Sequence, residues 1–225
     1  MKNIKLQSSI FLTPNEFQDY KDTVEKGLEI IINRLTRMCV HHHGYIDKNT
    51  MLSFTQDYFR GTTWMCDNIK EFINPMYRPF NNVGVLGSGN SILLYELLDS
   101  QRDVDHWHFY DMNDEFHEQR NMYFEANNIE KNYTNYTLDH NAAFQDKHLH
   151  EHFDLIIVPS CECLPNMIVH SNNTMYALMS YNHNQTFADN CVSTSKELMI
   201  NNGFKSGLFR GTQTTNAGSK FLVIA

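Results

Sequence analysis

Apolar positions in the first third of the chain fall three or four residues apart, and after about Asn82 they gather instead into short runs. Val24, Leu28, Ile31, Ile32 and Leu35 keep the helical spacing. Ahead of them Thr13 stands as N-cap, Pro14 as the first helical residue and Glu16 as the third, a capping-box arrangement. An amphipathic helix is therefore predicted, ending at the stretch His41 to Asn49. A second helix is predicted from Gly61 to Phe72, with Thr62 or Thr63 as cap, Trp64, Met65, Ile69 and Phe72 on one face, and Pro75 and Pro79 as stops. Beyond Asn82, strands are predicted over 83–86, 107–110, 133–138, 155–158, 177–181, 208–211 and 221–224. Helices are predicted over 91–98, 115–127, 141–150 and 193–201.

Strands that alternate with helices imply crossover connections and a mostly parallel sheet covered on both faces. Only Thr212 to Ser219 separates the last two strands, too little for a helix, so they are expected to form an antiparallel hairpin at the sheet edge. The expected fold is a three-layer α/β domain with a mostly parallel seven-stranded sheet that ends in that hairpin. Residues 1–80 are expected to form a helical N-terminal cap, and residues 81–225 the sheet domain. At 225 residues the chain suits one packed domain with an appended cap.

Charge and cysteine usage narrow the setting. Acids outnumber bases 26 to 18, a net charge of −8, which suits a partner that is a small molecule or a protein. It disfavours nucleic acid as a partner, although Lys70, Arg78 and Lys205 have room to converge in a local groove. Cys39, Cys66, Cys161, Cys163 and Cys191 form no paired framework, which points to reduced thiols. The N-terminal dozen residues carry no signal-peptide core, and no later run has membrane-spanning length. A cytoplasmic protein without membrane contact is expected. Abundant asparagine and scarce proline fit an AT-rich genome, a viral one included, and then the host cytoplasm. His41, His42 and His43, and again His148, His150 and His152, lack the carboxylate or cysteine partners of a metal site, as does Cys161-x-Cys163. They are expected in solvated loops, with no metal.

Candidate chemistry begins at Val83-Gly84-Val85-Leu86-Gly87-Ser88-Gly89-Asn90-Ser91, an apolar strand running through a glycine turn into a helix. In open α/β sheets ligands bind at the carboxyl ends of the strands, and glycine there admits positive φ and a close ligand. The third glycine of the dinucleotide fingerprint is missing. The second strand ends in Phe109-Tyr110-Asp111-Met112-Asn113. Two readings of Asp111 are open, a carboxylate that accepts from both hydroxyls of a ribose and an N-cap for the helix that follows. Met112 beside it offers a polarisable surface for an adenine.

Together these stretches resemble the class I S-adenosylmethionine-dependent methyltransferases, over about residues 58–225. The resemblance rests on the glycine-rich run 83–91 and on the acidic Phe109–Asn113. It rests also on the fourth strand Asp154-Leu155-Ile156-Ile157-Val158-Pro159-Ser160, on residues 193–204 before the last two strands, and on the closing hairpin. It implies a Rossmann-like fold with S-adenosylmethionine as cofactor. Gly87, Ser88 and Gly89 would line the methionine part, Asp111 would bind the ribose and Met112 would pack on the adenine. Asp139 falls where that family contacts the adenine amino group, a loop acid being the other reading. Arg60 falls where a guanidinium can pair with the cofactor carboxylate, with an exposed surface arginine as the alternative. Ser160, Cys161 and Glu162 follow the fourth strand, where catalytic or substrate-positioning residues sit in the family. Glu162 is the candidate general base there, and Cys161 a nucleophile only as a thiolate. The Asn/Asp-Pro-Pro-aromatic signature of DNA amino-methyltransferases is absent, so a small-molecule or protein acceptor is expected. Transfer of the aminocarboxypropyl group of the same cofactor, and a methyltransferase-like fold kept for binding alone, stay open. A nicotinamide-linked oxidoreductase shares the sheet, but the missing glycine and the hairpin count against it.

Overall fold

Val83 and Val85 pack into one hydrophobic cluster while Leu86 packs into another, and every inner strand repeats that alternation. Trp107 and Phe109 oppose Tyr110, Leu155 and Ile157 oppose Ile156 and Val158, and Ala177 and Met179 oppose Tyr176 and Leu178. A period of two with both faces apolar is what a doubly covered sheet requires. In a computed structural model the described residues are 29–35, 37–38, 56–73, 80–99, 104–130, 132–138, 142, 145–166, 171–182, 190–215 and 218–225.

The elements are α1 (Gln56–Ile73), β1 (Phe80–Leu86), α2 (Ile92–Asp99), β2 (Val104–Asp111), α3 (Asp114–Ala126), β3 (Tyr133–Thr137), α4 (Lys147–Glu151), β4 (Leu155–Val158), β5 (Met175–Asn182), α5 (Ser195–Asn201), β6 (Phe209–Thr215) and β7 (Gly218–Ile224). A 3-10 turn, Cys161–Cys163, follows β4. One seven-stranded sheet runs β3-β2-β1-β4-β5-β7-β6. β1 to β5 are parallel to one another, and β7 runs antiparallel between β5 and β6. The mostly parallel sheet with a C-terminal antiparallel hairpin is therefore as expected. The order reverses between β1 and β4, so a crevice opens at the carboxyl ends of those strands.

Helices α1, α2 and α3 cover one face, and α5 with the segment around Phe153 covers the other. Residues 29–35 are helical, and Ile31 and Leu35 join the α1–α3 core. Arg34 there pairs with Glu96 of α2, which also accepts from the Tyr123 hydroxyl at 3.0 Å. The capping box at Thr13, together with Val24 and Leu28, lies outside the described residues. No helix among the described residues is long and apolar enough to cross a membrane.

Three local expectations need correction. The second helix begins at Gln56, so Thr62 and Thr63 lie in its interior and cap nothing. Tertiary contact carries the helix through these residues: Phe59 extends the buried face, and a Cβ on Gly61 would lie 2.2 Å from the Lys220 Nζ, which needs the glycine surface. The last two strands also run further than their apolar residues. Pairing continues outward to Thr215↔Gly218, through threonines and Gln213 that suit a half-exposed edge. Finally, His150 is fully buried rather than solvated, its Nδ1 3.0 Å from the Tyr176 hydroxyl.

His108 on β2 is the most consequential of the buried polar groups in the sheet. Its Nε2 lies 3.0 Å from Asn82 Oδ1 and its Nδ1 3.2 Å from the Tyr136 hydroxyl, with the His106, His152 and Phe153 rings around it. Burial, reinforced by His106 and His152, lowers its pKa to about 4. A histidine held neutral in the fold adds stability above its unfolded pKa, and that stability drains away as pH falls towards the folded value. The urea midpoint should therefore drop between about pH 6.5 and pH 4. In His108→Gln this part of the slope should vanish, and an unchanged slope would exclude His108 as its source.

Candidate functional site at the carboxyl ends of β1, β2 and β4

Gly87 and Gly89 both take positive φ, +63° and +53°, which lets the chain turn sharply out of β1 and into α2. Their surroundings differ. A Cβ on Gly87 would sit 2.8 Å from Leu164 Cδ1, so the turn is backed there by the loop after β4. A Cβ on Gly89 would meet nothing within 4 Å, so that residue faces open space. Ser88 is buried and its N–H donates to the Tyr110 carbonyl at 2.9 Å, tying the turn to the end of β2.

Asp111 closes the turn from the other side. Its Oδ2 accepts from the Gly89 N–H at 2.8 Å and its Oδ1 from the Asn113 N–H at 3.0 Å. The helix cap is Asn113, whose side chain accepts from the Glu115 N–H at 3.0 Å. Asp111 is therefore not the N-cap. It brackets the glycine turn against the start of α3, and each carboxylate oxygen keeps lone-pair capacity for a further donor. Met112 beside it is 57% exposed, an apolar surface at the carboxyl end of β2, with Leu138 just after β3 also exposed.

Sequence reasoning missed Arg120. From α3 it reaches under the glycine turn, donating from Nε to the Asn90 carbonyl at 2.9 Å and from Nη2 to the Gly89 carbonyl at 2.6 Å. Burial lowers its pKa to about 9, against the raising influence of Asp111. The signal was present: His117, Arg120, Tyr123 and Phe124 fall on the buried side of α3, and an arginine inside an apolar stripe needs partners.

Across the crevice lies the turn after β4. Ser160 precedes the 3-10 turn and makes no capping bond through its side chain. Cys161 is buried, and burial and the Glu162 charge push its thiol well above the ordinary value, which disfavours the thiolate that a nucleophile needs. Glu162 is 5% exposed, and its Oε2 accepts from the Tyr181 N–H at 3.0 Å. Burial raises its pKa, while the Tyr181 N–H and the Lys220 charge pull it back. Lys220 on β7 is equally buried at 5%, with its Nζ 5.1 Å from the Tyr181 ring centroid and packed on Gly61 of α1. The lysine had a sequence signal too, since it shares the inward parity of Leu222 and Ile224.

The fold thus brings Gly87, Ser88, Gly89, Asp111 and Met112 to one end of β1 and β2, and Ser160, Cys161 and Glu162 to the end of β4. Arg60 lies in α1, half-buried, on the element that carries Gly61 against Lys220. Asp139 and His41 to His43 lie outside the described residues. No group of three or more histidine, cysteine, aspartate or glutamate side chains gathers as a metal site among the described residues.

No protein-family model matches the chain, and no curated protein matches it by sequence. Solved structures do resemble it. The ribosomal protein L11 methylase of Lactobacillus delbrueckii subsp. bulgaricus aligns at 15% identity and a TM-score of 0.46, over 73% of this chain and 78% of that one. The 16S rRNA methylase ArmA aligns at 10% identity and 0.46, over 85% and 96%. TrmK of M. capricolum, solved with the cofactor product S-adenosyl-homocysteine, aligns at 8% identity and 0.45, over 64% and 61%. The expectation that nucleic acid is disfavoured as a partner is corrected, because the charge of the whole chain does not decide it. The physical reason is that a net charge of −8 is a sum over the whole chain, whereas phosphate contact depends on the local potential.

Proposed function

We propose that this protein is an S-adenosylmethionine-dependent methyltransferase, with its cofactor cradled by the glycine turn and Asp111 and its acceptor approaching over the turn after β4. One observation carries the reading: two glycines at positive φ, one of them facing open space, are bracketed by the buried acid that ends the neighbouring strand. The residues fit the group. The open face of Gly89 gives room for the methionine part, Asp111 retains acceptor capacity for the ribose hydroxyls, and exposed Met112 offers the adenine a flat partner.

When bound, S-adenosylmethionine supplies a methyl group on a sulfonium, which is already activated. The chain's own work is therefore to hold and orient the reactants, since alignment alone accounts for much of the barrier in such transfers. Arg60 is assigned to the cofactor carboxylate and Asp139 to the adenine amino group. Glu162 is the candidate base for an acceptor that must lose a proton, because its raised pKa lies nearer neutrality than that of an exposed carboxylate. Ser160 at the mouth of the same turn is a positioning group.

Calorimetry with S-adenosylmethionine and S-adenosylhomocysteine tests the reading, followed by labelled-methyl transfer to RNA, protein and small-molecule pools. Binding of both ligands and label in one pool is expected. In Gly89→Ala the methyl fills the ligand's space at a φ that costs about 1–2 kcal/mol of strain, so binding should be lost from a protein that still folds. Wild-type protein that binds neither ligand would defeat the proposal.

A further inference from the structure

Arg120 has no exposed surface, yet its donors reach three consecutive residues of the glycine turn. Nε donates to the Asn90 carbonyl at 2.9 Å, and Nη2 to the Gly89 carbonyl at 2.6 Å and to Ser88 Oγ at 3.1 Å. Nη1 holds Asn135 Oδ1 on β3 and lies 3.1 Å from His117 Nδ1, while the guanidinium carbon stands 3.8 Å over the Phe109 ring centroid. The fork is thereby anchored on α3, β2 and β3 and spends its remaining donors on the turn. A guanidinium offers five donors in a rigid plane, which a lysine cannot reproduce.

Around Gly89 the two charged groups act in opposite directions. Asp111 takes the N–H and Arg120 takes the carbonyl, so both peptide planes flanking this residue are held before any ligand arrives. We propose that Arg120 is the positioning residue of the glycine turn: with Asp111 it clamps Ser88, Gly89 and Asn90 in the shape that receives the cofactor. Arg120 itself makes no contact with the ligand. The inference rests on the turn being the cofactor site, but the clamp exists in the ligand-free protein and is measurable there. Binding to a preformed turn avoids the cost of ordering it, so affinity should track the clamp.

The test uses the full chain with Arg120→Lys, Arg120→Met and Asn135→Ala. Amide exchange of ligand-free protein is followed at Ser88 and Gly89 and, as a reference, across β4, at a temperature where the circular dichroism of each variant is native. Affinity for S-adenosylhomocysteine is measured under the same conditions. Exchange at the turn should accelerate at least tenfold in Arg120→Met with β4 unchanged, and Kd should rise at least tenfold. Arg120→Lys should fall between Arg120→Met and wild type. Asn135→Ala, which removes one anchor far from the ligand, should change both readouts in the same direction by a smaller factor. If Arg120→Met does not fold, the lysine and Asn135 variants decide the matter. Equal acceleration at the turn and in β4 would make Arg120 a general stabiliser and overturn the proposal, as would unchanged exchange at the turn. Wild-type protein without affinity for S-adenosylhomocysteine would defeat the functional reading, while the exchange data would still decide the clamp.

Discussion

Asp111→Ala should weaken S-adenosylhomocysteine binding by on the order of 2–4 kcal/mol, roughly 30- to 1,000-fold, if its carboxylate is the proposed ribose acceptor with charge-assisted bonds. The structure adds a second contribution. Without the carboxylate, the Gly89 and Asn113 N–H groups lose their acceptors and Arg120 loses the influence of the Asp111 charge, so the turn relaxes as well. Asp111→Asn separates the two. A single amide oxygen can serve only one of the two backbone donors, so affinity should drop while stability drops less than in alanine. Titration calorimetry on protein shown to be native by circular dichroism gives the answer. A change in affinity below threefold for Asp111→Ala would remove Asp111 from the site.

The other large effect belongs to stability. Glu162 and Lys220 are both buried to 5% exposure, between α1, β5, β7 and the turn after β4. The Lys220 charge acts on Glu162 through space, and truncating one of two buried opposite charges that compensate each other costs up to about 3–5 kcal/mol. Glu162→Ala should therefore lower the urea midpoint sharply, with loss of the Tyr181 N–H acceptor included in that figure. Glu162→Gln keeps an acceptor for Tyr181 and should cost less. Replacing both residues, as Glu162→Leu with Lys220→Met, should recover most of the loss, because no charge is then stranded. If the double variant is as unstable as Glu162→Ala, the two residues are not a unit. Labelled-methyl transfer by the double variant separates structure from chemistry, since a folded protein without transfer would retain Glu162 as a candidate base.

Much of this architecture was legible in the chain. The central strands follow from unbroken apolar runs such as Leu155 to Val158, because a strand buried on both faces has no polar position to hide it. The glycine turn and Asp111 were readable for a related reason: positive φ at a strand-to-helix turn favours glycine, and an acid ending an apolar strand has few purposes. Tertiary contact alone decided the rest. α1 covers the residues before Thr62 because its buried face runs on through Phe59, and β6 and β7 extend through polar residues because each supplies the other's ladder bonds. The helix-cap reading of Asp111 stayed open in the sequence, and the fold gives that cap to Asn113 while Gly89, 22 positions from Asp111, donates to its carboxylate. Arg120 and Lys220 owe their places to the fold, which gathers Gly89, Asn90 and Asn135 around the one and Gly61 and Tyr181 around the other. Local pattern records what a residue's own segment buries, whereas a buried charge owes its place to partners that only the folded chain brings within reach.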